Sequence, residues 1–98
     1  MPRGETDMQQ LEQAIRNYLQ NVVFPLIEHP EAAEIQARAN EDEGQIRFRL
    51  LLEAGDVARV IGRNGMTASA IRSMAKAAGE KAGVKVVVHI VSKEEAGT

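Results

Sequence analysis

Residues 60–65 read Val60-Ile61-Gly62-Arg63-Asn64-Gly65, in which two polar residues separate two glycines. Glycine accepts positive φ and lets a ligand approach the backbone without a Cβ in the way. The first N–H groups of a helix after such a turn have no intrahelical partner, and together with the helix dipole they favour a phosphate. The spacing alone is compatible with an anion-binding loop and with a tight helix–helix turn that has no ligand.

Helical patterns flank this stretch on both sides. Residues 54–56 break the preceding pattern and predict the cap of a short helix over residues 57–61. After the glycines, the spacing predicts a longer helix over residues 67–82, which Gly83 is suited to end. Gly79 costs roughly 1 kcal/mol relative to Ala inside a helix, which also favours an earlier end. The predicted inner face of the longer helix consists of Ala70, Ile71, Met74, Ala75 and Ala78.

Alternating apolar residues predict three strands. Residues 34–39 alternate with period two, and a polar turn over residues 40–44 leads to a second alternating segment over residues 45–52. These two strands are expected to form an antiparallel hairpin. The β-branched residues 84–91 predict a third strand, which follows a crossover of two helices and can therefore lie parallel to an earlier strand. The predicted inward positions are Ile35, Ala37, Ala39, Ile46, Phe48, Leu50, Leu52, Val86, Val88 and Ile90.

An amphipathic helix is predicted from about Asp7, where apolar residues begin to recur three and four apart. Pro25 has no N–H to donate, so it is expected to kink this helix or to start a new turn, and His29-Pro30 is expected to end it. The predicted order is α-β-β-α-α-β. This order indicates an α/β (α+β) fold with helices packed on one face of a three-stranded mixed sheet.

The 98 residues predict a single domain. We expect it to span residues 8–91, between a flexible N-terminus, residues 1–7, and a flexible C-terminal tail, residues 92–98. The net charge is −2, but residues 55–85 carry six basic and two acidic residues, a net of +4, which leaves −6 for the remainder. Such segregation around the glycine pair suits an anionic ligand, and it equally suits a solvated helix face without a partner.

The composition argues against several classes of function. Without cysteine there is no thiolate zinc site, cysteine nucleophile or disulfide, and the two histidines lack metal-ligand spacing. Aromatic residues make up only 3% of the chain, which argues against base stacking on aromatic platforms. No Gly-Lys-Ser/Thr follows the glycines and no nucleophile triad is evident, so we predict no enzyme activity, no metal and no cofactor. Because we find no apolar signal segment and no membrane-spanning run, we expect a cytoplasmic protein.

The sequence resembles a known protein family. The loop stretch followed by Ala70-Ile71-Arg72 resembles the signature of KH domains, and the predicted element order is that of their type II arrangement. The chain is similar over residues 8–91 to the short bacterial KhpA family, through Pro25-Leu26-Ile27-Glu28-His29-Pro30, Gly55-Asp56-Val57 and Lys85-Val86-Val87-Val88.

The resemblance implies a function and a site. It implies an RNA chaperone that binds single-stranded RNA beside the loop, and that forms a dimer or pairs with a second KH protein, KhpB, in the control of cell elongation and cell-wall synthesis. It also implies an apolar groove opposite a wall formed by residues 87–89. Arg72 is equally suited to a salt bridge. The RNA-binding residues predicted in this way, with the flanking arginines included, are Gly62, Arg63, Asn64, Gly65, Val60, Ile61, Arg59 and Arg72.

The chain also departs from the family pattern. Met66 and Ser69 stand where members often carry basic residues, which predicts weak, salt-sensitive binding. Together with the acidic net charge, these residues favour an alternative function in which the domain mainly dimerises or recruits a partner. Arg47 and Arg49 are expected to be solvated strand charges that discourage aggregation, in preference to a docking surface.

Overall fold

A computed structural model describes residues 5–96 of the chain. Its elements follow the predicted order, with one further short helix at the end. They are α1 (Glu5–Val23), β1 (Glu34–Asn40), β2 (Gln45–Leu52), α2 (Ala54–Ile61), α3 (Met66–Lys81), β3 (Lys85–Ser92) and α4 (Lys93–Ala96), with 3₁₀ turns at Phe24–Leu26, Pro30–Ala32 and Arg63–Gly65.

The N-terminal helix begins and ends earlier than predicted, because His29-Pro30 was expected to end it and α1 stops at Val23. Because α1 starts at Glu5, Asp7 lies inside the first turn and not at the cap position. Pro25 starts a new turn, since the α-helix stops at Val23 and a 3₁₀ turn follows over Phe24–Leu26.

The three strands form one mixed sheet in the order β1-β2-β3. Strands β1 and β2 are antiparallel, and the crossover through α2 and α3 brings β3 parallel to β2. In this register Phe48 lies between Ala37 and Val88. The prediction of a hairpin, a helical crossover and a type II KH-like arrangement is therefore confirmed.

The core lies between one face of the sheet and the helices α1, α2 and α3. Phe48 is at its centre and fully buried, and the hydroxyl of Tyr18 ties α1 to α3 by donating a hydrogen bond to the Ile71 carbonyl at 3.3 Å. Burial raises the pKa of Tyr18. Ala39 lies on the inner face as predicted, opposite the buried Ile46, but it is exposed at the end of β1. The buried apolar cluster consists of Ile15, Leu19, Val23, Ile27, Ile46, Phe48, Leu50, Leu52, Val60, Ile71, Ala75, Val86 and Val88.

The buried face of α3 differs from the predicted one. Ile71 and Ala75 are buried as predicted, and they are joined by Ala68 and Gly79. The prediction was wrong for Ala70, Met74 and Ala78, which are exposed. Small residues recur on every side of this helix, so the spacing of apolar residues alone does not identify the face that packs.

Gly79 explains which face packs against the sheet. A Cβ built at this position would lie 2.4 Å from Cγ2 of Val86 and 2.5 Å from the carbonyl oxygen of Val84. Only glycine allows the end of α3 to lie this close to the start of β3. The helix accordingly continues through Gly79 to Lys81, against the expectation of an earlier end.

A buried carboxylate joins α2 to the segment after α1. The helix α2 begins at Ala54, three residues before the predicted start, so that Asp56 lies in its first turn with 1% of its surface exposed. Its two oxygens accept hydrogen bonds from the backbone N–H groups of Glu28 and His29, each at 3.0 Å. The prediction that residues 54–56 cap this helix is therefore wrong for Asp56. Its side chain instead fixes the position of α2 against a distant part of the chain.

The surroundings of Asp56 favour its charged form. Burial by itself raises the pKa of the carboxyl, but the backbone N–H donors of Glu28 and His29 and the electrostatic influence of the His29 ring and the Arg59 guanidinium outweigh burial and hold the pKa below its usual value. Asp56 is therefore ionised in the folded protein at neutral pH.

The chain after β3 forms the single turn α4. Ser92 and Glu95 cap each other, because the Glu95 carboxylate accepts from the Ser92 N–H at 3.2 Å and the Ser92 hydroxyl accepts from the Glu95 N–H at 3.1 Å. The predicted flexibility of the two tails and the predicted domain bounds stay predictions. Residues 1–4 and 97–98 of those tails lie outside the described residues.

Replacing Gly79 by Ala is expected to lower the free energy of unfolding by about 1–3 kcal/mol, because the new methyl group overlaps Val86 and the Val84 carbonyl. Urea unfolding followed by circular dichroism measures the change. Gly55→Ala is the control, since a Cβ at Gly55 in α2 meets nothing within 4 Å. The control should be neutral or stabilising by up to about 1 kcal/mol; equal effects of the two substitutions would contradict the packing role of Gly79.

Replacing Asp56 by Asn keeps the shape of the side chain but places an amide NH₂ group opposite one of two backbone N–H donors. We expect a lower thermal midpoint at neutral pH, by roughly 10 °C. Asp42→Asn in the exposed turn is the control and should leave the midpoint unchanged.

The effect of Asp56→Asn should also depend on pH. Because folding lowers the pKa of Asp56, its carboxylate stabilises the fold fully above the ordinary aspartate pKa, and this stabilisation is lost as the pH falls through the lowered pKa. The difference between wild type and variant should therefore shrink in acid, as urea unfolding at neutral and acidic pH would measure. A difference of constant size would show that the charge of Asp56 is not what stabilises the fold.

Candidate nucleic-acid interface

The loop between α2 and α3 uses three residues with positive φ. Gly62 has φ 76° and ψ 178°, a conformation that is essentially restricted to glycine. Asn64 at φ 57° and Gly65 at φ 73° are both left-handed, so the chain turns sharply before α3 begins. Asn64 is the only non-glycine residue with positive φ in the described range, and asparagine tolerates this conformation well.

The two glycines are required for different reasons. A Cβ at Gly62 would lie 2.4 Å from the Thr67 hydroxyl oxygen, so this glycine lets the loop pack directly on the first turn of α3. A Cβ at Gly65 would meet nothing within 4 Å, and glycine is favoured there only by the backbone conformation. The tight packing at Gly62 leaves the two residues between the glycines as the outermost part of the loop.

The tip of the loop presents donors and positive charge. Arg63 and Asn64 are exposed, and Arg63 forms no ion pair with any residue in the range 5–96. Gly65, at the cap position of the 16-residue helix α3, has no side chain that could bond to the first N–H groups of the helix. These N–H groups, the helix dipole and the Arg63 guanidinium together suit a phosphate.

The apolar residues before the loop have different positions. Val60 is fully buried in the core and supports the loop from below, so its side chain does not reach the surface that was predicted to touch RNA. Ile61 is 37% exposed and is the apolar residue that α2 presents beside the loop.

Two predicted arginines have partners within the domain. Arg59 lies 3.1 Å from the carboxylate of Glu28 and 3.6 Å from that of Asp56, so much of its charge is already compensated. The Nε–H of Arg72 donates to the Val88 carbonyl at 3.0 Å, which is a contact with the backbone and not the salt bridge considered from the sequence. This bond lays the Arg72 side chain across the space between α3 and β3.

A groove of about 300 Å³ runs between α3 and β3. One wall carries the polar side chains of α3, and the other is the edge strand β3, whose Val87 and Val88 belong to the expected wall while His89 does not line the groove. Lys76 was missed by the sequence analysis, although its position one turn after Arg72 places both on one face of the helix. The lining residues are Ser69, Arg72, Ser73, Lys76, Val86, Val87 and Val88.

The groove combines two cations with an apolar strand, which suits a ligand that has a phosphate backbone and flat apolar faces. The first turn of α3 carries no positive charge toward the groove, as the sequence predicts, because it contains Met66, which is 68% exposed, and Ser69. Within residues 5–96 no group of three or more His, Cys, Asp or Glu residues could hold a metal ion. None of the described helices is long and apolar enough to cross a membrane.

Comparison with known proteins identifies the family. The model of the family "KhpA/KhpB, KH domain" matches residues 14–90. The chain is 34% identical over 79 residues to RNA-binding protein KhpA of Bacillus subtilis (strain 168), which covers 81% of this chain and 95% of the relative. It is 43% identical over 61 residues to RNA-binding protein KhpA of Streptococcus pneumoniae serotype 4, covering 61% of this chain and 73% of the relative.

RNA-binding protein KhpA of Listeria monocytogenes serovar 1/2a is similar at 32% identity over 71 residues, with 72% of this chain and 91% of the relative covered. These relatives are named for binding and not for catalysis, which agrees with the prediction that the chain is not an enzyme. The resemblance found in the sequence is thereby confirmed: the chain belongs to the KhpA/KhpB family of KH-domain proteins.

Proposed function

We propose that this protein binds single-stranded RNA, and that the loop Gly62-Arg63-Asn64-Gly65 holds the RNA backbone. The observation that carries the proposal is the juxtaposition of an exposed Arg63, which has no ion pair among the described residues, with the uncapped N-terminus of α3, at the end of a groove that contains further cations. The three relatives named RNA-binding protein KhpA support the same conclusion.

Each predicted site residue has a role in this proposal. The loop residues and the first N–H groups of α3 contact phosphate, while Ile61 and the β3 wall contact the bases. Arg72 covers the groove floor through its bond to Val88 and, with Lys76, attracts the backbone. Arg59 and Val60 support the loop without touching RNA, because Arg59 is paired with Glu28 and Val60 is buried.

This arrangement predicts binding that is weak and has little sequence preference. A KH groove holds about four nucleotides. The groove lacks aromatic residues, so stacking contributes little and electrostatic contacts dominate. Electrostatic binding of this kind weakens as salt displaces the protein's cations from phosphate.

The double substitution Arg63→Asp/Asn64→Asp should abolish binding of a short single-stranded RNA, because it places two carboxylates where phosphate must lie. Fluorescence anisotropy at two salt concentrations measures binding, and circular dichroism checks the fold. We expect at least a tenfold loss of affinity, together with a salt dependence in the wild type.

The matched control is Lys81→Glu/Gln20→Glu, which makes the same change in net charge at exposed positions away from the groove. The control should bind within about twofold of wild type. Equal binding by wild type and the loop variant would rule out the loop as the RNA clamp.

For the cell, we propose a cytoplasmic RNA chaperone that acts with a KhpB-like partner in the regulation of cell elongation and cell-wall synthesis. The support is the family itself, whose single domain model joins KhpA with KhpB. A domain that grips a few nucleotides weakly gains affinity when a second domain holds the same RNA, because the second contact becomes intramolecular.

The exposed side of α3 favours a second candidate function, pairing with another KH domain. Met66, Ala70, Met74 and Ala78 recur every four residues and form an apolar stripe, and the two methionines are 68% and 61% exposed. Methionine and alanine on an exposed helix face suit helix-to-helix docking, because small residues permit close approach and methionine adapts its shape. We propose that a second copy of this chain, or a KhpB-like KH domain, docks on this stripe.

Ala70→Glu/Met74→Glu should abolish pairing, since two carboxylates would be buried at the contact. Sedimentation equilibrium of the wild type is expected to show a dimer that the variant lacks, and co-purification tests pairing with a KhpB-like protein. Gln20→Glu/Asn21→Glu on the exposed side of α1 is the charge-matched control and should still pair. A variant that pairs as well as the control would remove the stripe as the contact.

A further inference from the structure

The face of the sheet that the helices α1–α3 leave uncovered carries three arginines. Arg38 of β1 and Arg47 and Arg49 of β2 lie on this side, opposite the buried side chains of Ile46, Phe48 and Leu50. We call these three residues the arginine face. They line a depression of about 520 Å³ together with Gln36 and Ala37.

The strand register places like charges directly opposite each other. Arg38 is the cross-strand partner of Arg47, an arrangement that destabilises a hairpin because the two guanidinium groups repel. The neighbouring cross-strand pair, Gln36 and Arg49, is not repulsive, because Arg49 donates to the Gln36 amide oxygen at 3.4 Å. Arginines that serve only to keep the strands solvated could be placed without this repulsive pair. Because the Arg38–Arg47 pair lowers stability, its presence points to a bound anion that offsets the repulsion.

The domain does not supply that anion itself. None of the ion pairs formed among residues 5–96 includes Arg38, Arg47 or Arg49. Two acids near the ends of β1 have partners of their own: Glu34 lies 3.9 Å from Lys93 and accepts from the Gln36 side chain at 3.1 Å, and Glu43 accepts from the Asn40 side chain at 3.2 Å. All three arginines are exposed and carry their charge toward solvent.

The chemistry of the arginine face suits a phosphate backbone better than a protein surface. A protein interface has an apolar centre from which water is excluded. The large exposed apolar residues of the described chain lie elsewhere, at Leu26, Ile61, Met66 and Met74. Guanidinium forks bind phosphate oxygens in pairs and need no apolar neighbour.

The arginine face is also continuous with the groove. Strand β3 is the edge of the sheet, and its residue Val87 both lines the groove and is the register partner of Arg47. His89, the next residue of β3 on the outer face, pairs with Arg49 in the same way. A strand of RNA that leaves the groove across β3 therefore meets Arg47 first and Arg38 next to it.

We propose that the arginine face is a second RNA-binding surface, which holds the phosphate backbone of the same RNA strand beyond the part that lies in the groove. This inference rests on the proposed function, because the groove supplies the first contact. It predicts that a longer RNA binds more tightly than a short one to a single domain, and that the added affinity depends on Arg38 and Arg47.

The test compares a short RNA of about five nucleotides, enough to fill the groove, with one of about 15 nucleotides, which also reaches the arginine face. Fluorescence anisotropy at several salt concentrations is measured for the full chain and for Arg38→Gln/Arg47→Gln. We expect the variant to bind the short RNA as wild type does, and to lose about tenfold in affinity for the long RNA. Its salt slope on the long RNA should fall by about 1.4, as for two lost contacts with a single strand.

The matched control is Lys81→Glu, which makes the same change of −2 in net charge at an exposed position outside the arginine face and should leave both affinities near wild type. Thermal unfolding of Arg38→Gln/Arg47→Gln should show an equal or higher midpoint, since the repelling pair is gone. A loss of binding with unchanged or raised stability would establish a binding role.

If the variant binds the long RNA with wild-type affinity and salt slope, the proposal is overturned, and an acidic protein becomes the better partner for this face. If wild type binds the short RNA but gains nothing from the longer one, this inference fails while the proposed function stands. If wild type binds neither RNA even at low salt, both fail.

Discussion

Two hydrogen bonds from the backbone N–H groups of Glu28 and His29 to the buried carboxylate of Asp56 connect the chain after α1 to the helix that leads into the loop. The rest of the site depends on this connection, because α2 has only eight residues and is not held by its own stability. The same carboxylate lies 3.6 Å from Arg59, whose guanidinium also pairs with Glu28. One buried charge thus orients the whole of α2, and with it the glycine loop at its end.

Close approach of backbone segments shapes the groove on the other side of the loop. Gly62 lets the loop pack on Thr67, and Gly79 lets the end of α3 lie against the start of β3. Between Thr67 and Gly79, Arg72 of α3 donates a hydrogen bond to the Val88 carbonyl of β3. The glycines thus fix the loop and the end of α3, and the cations Arg72 and Lys76 line the groove between α3 and β3.

Charge is distributed to match this geometry in a protein that is acidic overall. The cations to which we assign RNA contacts lie on the loop, in the groove and on the outer face of the sheet. The acids lie mainly in the N-terminal part, in the turn after β1 and in the C-terminal tail. A low net charge limits nonspecific attraction to nucleic acid, so that binding depends on the arrangement of the few free cations.

Several features could be predicted from the sequence because they depend on local spacing. The alternation of apolar residues identified all three strands and the inward face of β2, the proline at position 25 indicated the new turn that follows α1, and the glycine spacing identified the loop. The family resemblance was visible for the same reason, since its motifs are short and contiguous. The charge segregation around the loop could also be counted directly along the chain.

Other features depend on residues far apart in the chain, and only the tertiary structure decided them. The buried face of α3 is set by the approach of Gly79 to β3, and alanine on every side of the helix left its periodicity ambiguous. The partners of Asp56 are 27 and 28 residues away, and their N–H groups leave no trace in side-chain pattern. Likewise, the Arg38–Arg47 pair exists only through the strand register, and Arg72 finds its acceptor on β3. Local spacing determines which elements form, whereas the fit between their surfaces determines which side chains meet.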